Sequence, residues 1–143
     1  GTTYLSITGT DPHTSVDSVS IPALILDGAE DCICPTDTHT QLIYDSLPNS
    51  IHKVLVRFTQ GDHCGFSQPG GPGQIPCETA ETSACLTALD PQGTTMSPAD
   101  QNDLTVDYLR LWLDATLLED SEAMDAFTTL LADDRTTSQV NTP

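Results

Sequence analysis

The chain has little positive charge. Lys53 is its only lysine, and Arg57, Arg110 and Arg135 are its only arginines. Against them stand 21 aspartates and glutamates, for a net charge of −17 over 143 residues. Nucleic acid and anionic membranes are held by clustered Lys and Arg, so neither is expected as a partner. An Asp-rich, Lys-poor surface suits solubility in a salty medium, where ions screen self-repulsion. Recognition of a cationic partner is the other use of such charge. Aromatics are also scarce, at 5%. The apolar residues are nevertheless clustered, which marks a folded chain. No apolar run approaches the roughly 20 residues that span a bilayer, so no membrane insertion is expected. No signal peptide or initiator Met is visible at Gly1-Thr2-Thr3-Tyr4, and a processed or truncated product is expected.

Cysteine is the exception to this scarcity, with five in the chain. That density points to an oxidising setting, extracellular or secretory. Five is odd, so at least one cysteine is free or bonds another chain. A zinc site would draw on Cys32, Cys34, Cys64 and either His39 or His63. The Cys-x-Cys spacing is not the usual knuckle and no second pair follows, so disulfides are preferred and no metal or cofactor is expected. The length allows one domain with a real core.

The chain is organised around residues 23–35, ALILDGAEDCICP. Residues 21–27 read as a continuous apolar strand buried on both faces, as in a parallel sheet, with Pro22 at its start. The loop after it carries Glu30 and Asp31. Pro35-Thr36-Asp37 then opens a helix, with Thr36 as cap and a stripe of Leu42, Ile43 and Leu47, ended at Pro48-Asn49. Residues 53–58, KVLVRF, form the next strand. Strand, helix and strand over about thirty residues make a βαβ unit with parallel strands. Ligands bind at the carboxyl ends of such strands. The second strand ends in Gly61-Asp62-His63-Cys64-Gly65, so Asp31 and His63 are expected at one edge of the sheet.

Elsewhere, residues 3–8 (TYLSIT) read as a short strand, followed by a polar loop containing His13. Residues 67–97 are rich in Gly, Pro and Thr and read as an irregular excursion braced by a disulfide through Cys77 or Cys85, with a helical turn within residues 78–86. Ser97-Pro98-Ala99-Asp100 is a helix start. Leu104, Tyr108, Leu111, Trp112, Ala115 and Leu118 give its apolar stripe. Met124, Phe127, Leu130 and Leu131 mark a shorter helix after a break at Glu119-Asp120-Ser121. Residues 132–143 read as a polar, frayed tail.

A histidine oriented by a carboxylate is built to take a proton from a serine. The Gly-x-Ser-x-Gly elbow that presents such a serine is absent from the chain. Ser6 falls in a strand, Ser67 follows His63 too closely, and Ser97 is a cap.

The stretches IPALILDGAEDCICP, YDSLPNS and KVLVRFTQGDHCGF resemble the C-terminal half of an α/β-hydrolase, nearest to the dienelactone-hydrolase and cutinase-like polyester-hydrolase branches. Gly28, Asp31 and Pro35 match the family's acid loop. Gly61 and His63 match its histidine loop, and Tyr108, Trp112 and Leu113 match its last helix. The resemblance covers most of residues 4–131. It implies an α/β fold of parallel strands flanked by helices, with residues 1–131 as the C-terminal half of a hydrolase domain and residues 98–131 as its closing helices. It implies that Asp31 orients His63 and that His63 is general base and then general acid; Phe66, on the histidine loop, is expected either to line the substrate cleft or to pack within the loop. The substrate class it implies is a small ester or a polyester. The family's serine and oxyanion donors lie upstream of the matched region. An N-terminal half carrying Gly-x-Ser-x-Gly is therefore the implied partner, from the same precursor or in trans, and the chain alone is expected to be inactive. Glu30 is a rival to Asp31, and Asp62 a weaker one. Cys64 is a poor partner for the ring of its own neighbour. The competing expectation is a non-catalytic, hydrolase-like structural or assembly subunit.

Overall fold

A computed structural model of the chain describes residues 16–67, 71 and 95–143. The expected strand at 3–8, His13, the excursion between residues 71 and 95 with Cys77 and Cys85, and the helical turn within 78–86 lie outside the described residues. The described part is mixed α/β, with a three-stranded sheet in the order β1 (Ala23–Gly28), β2 (Lys53–Phe58), β3 (Thr136–Asn141). Helix α1 (Thr40–Ser46) connects β1 to β2, and α2 (Pro98–Leu117) and α3 (Ser121–Leu130) precede β3.

β2 is the centre of the sheet. It pairs parallel with β1, Ala23 opposite Lys53 through Gly28 opposite Phe58, and antiparallel with β3. Its alternation sorts two layers. Val54, Val56 and Phe58 point into the core that α2 and α3 close with Leu104, Tyr108, Trp112 and Phe127. Lys53, Leu55 and Arg57 point the other way, toward α1. Lys53 is almost fully buried there, and its Nζ donates to the carbonyls of Tyr44 (2.9 Å) and Leu47 (2.7 Å) at the end of α1. A charge is tolerated inside because those helix-end carbonyls lack intrahelical donors and accept from it.

The few aromatics are concentrated in one row. Phe66, Phe58, Tyr108, Phe127 and Trp112 follow each other at centroid spacings of 5.5, 5.9, 5.9 and 5.2 Å, and His52 meets Trp112 edge-on at 5.0 Å. Such pairs add to simple burial. Low aromatic content is thus compatible with a dense core, and the row runs from the histidine loop to the opposite end of the sheet.

α2 starts as its sequence dictates. Ser97 caps it, its Oγ accepting from the Asp100 N–H at 3.1 Å, with Pro98 in the first turn. Asp120 caps α3 through the N–H groups of Glu122 and Ala123. Three expectations need correction. First, β1 covers Ala23–Gly28, and its first four residues are only half-buried. It is an edge among the described strands, and an edge strand lacks a neighbour on one side. Second, the segment after Pro35 begins with a 3-10 turn, Thr36–Thr38, before α1. Thr36 does not cap; it is buried with no partner for its Oγ1. Third, residues 136–141 form β3 rather than a frayed tail. Gln139 exchanges two amide hydrogen bonds with Gln41, and Asn141 Nδ2 donates to the carbonyls of Asn49 and Ile51. Polar side chains with such distant partners hold an edge strand that carries almost no apolar pattern.

Candidate active site

The loops that leave β1 and β2 are joined beyond the strand ends. Ala29 N–H donates to the Phe58 carbonyl and Glu30 N–H to the Gly61 carbonyl, both at 2.9 Å. This extension of the parallel ladder needs two glycines. A Cβ on Gly28 would lie 2.4 Å from the Gly61 carbonyl oxygen, and one on Gly61 would lie 2.7 Å from Phe58 Cβ. Backbone approaching this closely excludes any side chain.

The joined loops bring Asp31 and His63 together. His63 Nδ1 is 2.9 Å from Asp31 Oδ2. Asp31 is buried, and the His63 side chain is about one-third exposed. The other carboxylate oxygen, Oδ1, accepts from the N–H groups of Ile33 (2.9 Å) and Cys34 (2.6 Å). An Asx turn of this kind fixes a carboxylate on its own loop and leaves one oxygen for a partner. With Nδ1 donating to the carboxylate, Nε2 is the ring nitrogen left to accept a proton. The competing acids are placed differently. Glu30 is exposed, and Asp62 Oδ1 accepts from the Gly65 N–H at 2.6 Å, closing the short 3-10 turn Cys64–Phe66.

Asp31 and His63 line a cleft of about 410 Å³ together with Leu26, Asp27, Cys34, Thr40, Phe66 and Ser67. That volume suits a small organic molecule. Phe66 both lines the cleft and packs on Phe58, so the two roles open to it coincide. Ser67 lies in the cleft, but its Oγ donates to the Cys64 carbonyl at 2.6 Å. Cys32 and Cys64 are each disulfide-bonded, and Cys34 is the one free thiol among the described residues. Burial, and then the charge of Asp31, push the Cys34 thiol above its ordinary range. A thiol held protonated is a poor nucleophile. Among the described residues no group of three or more His, Cys, Asp or Glu is arranged to hold a metal ion. Nor is any helix there long and apolar enough to cross a membrane. His39 lies at the start of α1, its Nδ1 near Thr38 Oγ1 and the Pro35 carbonyl, away from the cleft lining.

Two features of the site were not anticipated. Asp27, the next-to-last residue of β1, is buried beside the cleft, accepts from Thr40 Oγ1, and pairs with Arg57 at 3.4 Å. The two sit opposite each other in the β1–β2 register. An Asp at the end of an apolar run facing the lone strand Arg is the signal that pairing the two strands would have exposed. The second feature is Gln101 on α2, fully buried and bonded to the backbone of Asp62. Its spacing of three from Leu104 puts it on the apolar stripe, where a polar residue calls for an explanation. Comparison of the chain with protein-family models and with curated proteins found no match.

Proposed function

We propose that this chain is the acid- and base-bearing portion of a serine hydrolase that cleaves carboxylic esters, completed by a polypeptide segment that supplies the nucleophile and the oxyanion donors. The fold in this reading is the C-terminal part of an α/β-hydrolase, acting outside the cell or in a secretory compartment. The observation that carries the reading is the 2.9 Å contact of His63 Nδ1 with a buried carboxylate at the ends of two parallel strands. The half-buried edge of β1 is consistent with further strands added on that side.

In this reading His63 Nε2 takes the proton of the incoming serine as its oxygen attacks the ester carbonyl. The same nitrogen then returns the proton to the leaving alcohol. Water repeats the cycle to release the acid. Asp31 keeps the proton on Nδ1 and stabilises the imidazolium that forms. Phe66 and Leu26 offer apolar contact to the substrate on the cleft wall. The test is kinetic. In the assembled enzyme, His63→Ala is expected to lower kcat for a small aryl ester by about 10⁴-fold or more. Turnover within a few-fold of the parent would overturn the assignment and favour a structural role for the chain.

A further inference from the structure

We propose that Gln101 is a positioning residue for His63, acting as an amide clamp on the backbone of Asp62, the residue that precedes the histidine. The proposal rests on the reading of Asp31 and His63 as an acid–base pair. Gln101 does not touch that pair. Its Oε1 accepts from the Asp62 N–H at 3.0 Å, and its Nε2 donates to the Asp62 carbonyl at 2.8 Å. One planar side-chain amide therefore occupies both polar groups of a single backbone residue, as a neighbouring strand would. The following residue is His63.

Three further observations point to a built clamp rather than a filler of the core. Gln101 is fully buried. A buried amide costs stability unless its groups are satisfied, and here one donor and its acceptor are committed to this loop. The loop is also shaped around it. A Cβ on Gly65 would lie 2.2 Å from Gln101 Oε1, and one on Gly61 would lie 3.3 Å from the same atom. Glycine thus stands on both sides of the peptide that Gln101 grips. Finally, the clamp is mounted on a rigid element. Gln101 N–H donates to the Ser97 carbonyl at 2.9 Å, and Thr105 Oγ1 donates to the Gln101 carbonyl at 2.7 Å, both within the first turns of a 20-residue helix. Loops drift; a catalytic group on a loop needs such an anchor to hold its geometry within about half an ångström. Asp31 is fixed by its own Asx turn; in the histidine loop the Asp62 side chain closes the turn after His63, and Gln101 ties the backbone before His63 to α2.

The experiment reads the His63 Nδ1 proton in the isotopically labelled chain. In the native chain, a slowly exchanging, low-field Nδ1 proton is expected, and Asp31→Asn, by removing it, assigns it. Gln101→Ala is expected to speed its exchange by about 10-fold or more, because local opening of the loop exposes it. Gln101→Met keeps the length and the burial but loses both the donor and the acceptor, and is expected to accelerate exchange to a similar extent. It decides the matter if the alanine variant does not fold. Tyr108→Phe, which weakens the core away from this loop, is expected to leave the exchange within two-fold of native, marking the limit of a purely structural effect. Unchanged exchange in both Gln101 variants, or an equal change in Tyr108→Phe, overturns the proposal. Ester turnover that survives His63→Ala would instead sink the hydrolase reading and leave the clamp standing.

Discussion

Tyr108→Phe tests how α2, α3 and β3 are held together. The Tyr108 ring is fully buried between Phe58 and Phe127. Its hydroxyl donates to the Leu130 carbonyl at 2.8 Å and meets Thr136 Oγ1 at 2.9 Å. One oxygen thus ties a residue of α2 to the end of α3 and to the first residue of β3. Phenylalanine keeps the ring and removes only that oxygen, so no cavity of any size is left. Both former partners have another bond to fall back on: the Leu130 carbonyl accepts from Asp133 N–H, and Thr136 Oγ1, released from Tyr108, has the Asp133 carbonyl at 3.3 Å to donate to. The penalty for an orphaned buried group is therefore largely avoided. Two net hydrogen bonds remain to be lost, and the expected cost is about 1–2 kcal/mol. Urea unfolding followed by Trp112 fluorescence reads it as a lower midpoint with an unchanged slope. Hydrogen exchange should quicken along Thr136–Asn141 before it does so in β2. A cost under about 0.3 kcal/mol would refute the tether, and one above about 4 kcal/mol would mean that the partners had been orphaned after all.

Lys53→Met keeps the buried stem but leaves two carbonyls at the end of α1 without their donor and removes the ammonium 4.7 Å from the Tyr44 ring centroid. A loss of about 2–3 kcal/mol in the same urea assay is expected, and a neutral outcome would contradict the role given to the only lysine. Gly28→Ala places a methyl against the Gly61 carbonyl, which is backbone and cannot rotate away. It should cost about 1–3 kcal/mol and also part the two loops, measured as loss of the His63 Nδ1 proton; retention of that proton would refute the need for this close approach. Burial holds the His52 ring below its ordinary pKa of 6.5. The folded chain then binds that proton less readily than the unfolded one, so this contribution to stability is full above about pH 6.5 and lost as pH falls through the folded value. His52→Gln should flatten the stability profile just below pH 6.5, and an unchanged slope would contradict the assignment. Asp133 is held at about 2, first by the Arg135 side chain and then by its backbone N–H. Its contribution is present above about pH 4 and lost toward pH 2, and Arg135→Gln should raise its midpoint in a carboxyl NMR titration.

β2 was legible to the residue because its run, KVLVRF, is central and bounded by residues that break it. The start of α2 was legible because Ser97, Pro98 and Asp100 each answer a different need of a helix N-terminus. The meeting of Asp31 with His63 was legible from topology: two parallel strands joined by a helix put their following loops on one edge. What stayed hidden depends on pairings that no local pattern announces. β3 reads TTSQVN, and what holds it is Gln41, Asn49 and Ile51, about ninety residues or more away. The Asp27–Arg57 pair follows only from strand register. The half-buried state of β1 follows from its neighbours rather than from its own apolar run. Gln101 occupies a stripe position that simple amphipathic reading passes over, since its burial is explained by a loop 39 residues earlier.

The most direct measurement is active-site labelling of native material that contains this chain, using a fluorophosphonate. The expected result is a single label on a serine of the completing polypeptide segment, with the rate of labelling lowered by about 10³-fold or more by His63→Ala and by at least about 10-fold by Asp31→Asn. Absence of any labelled serine, or labelling at the parent rate in both variants, would contradict the assignment of Asp31 and His63 as the acid–base pair of a serine hydrolase.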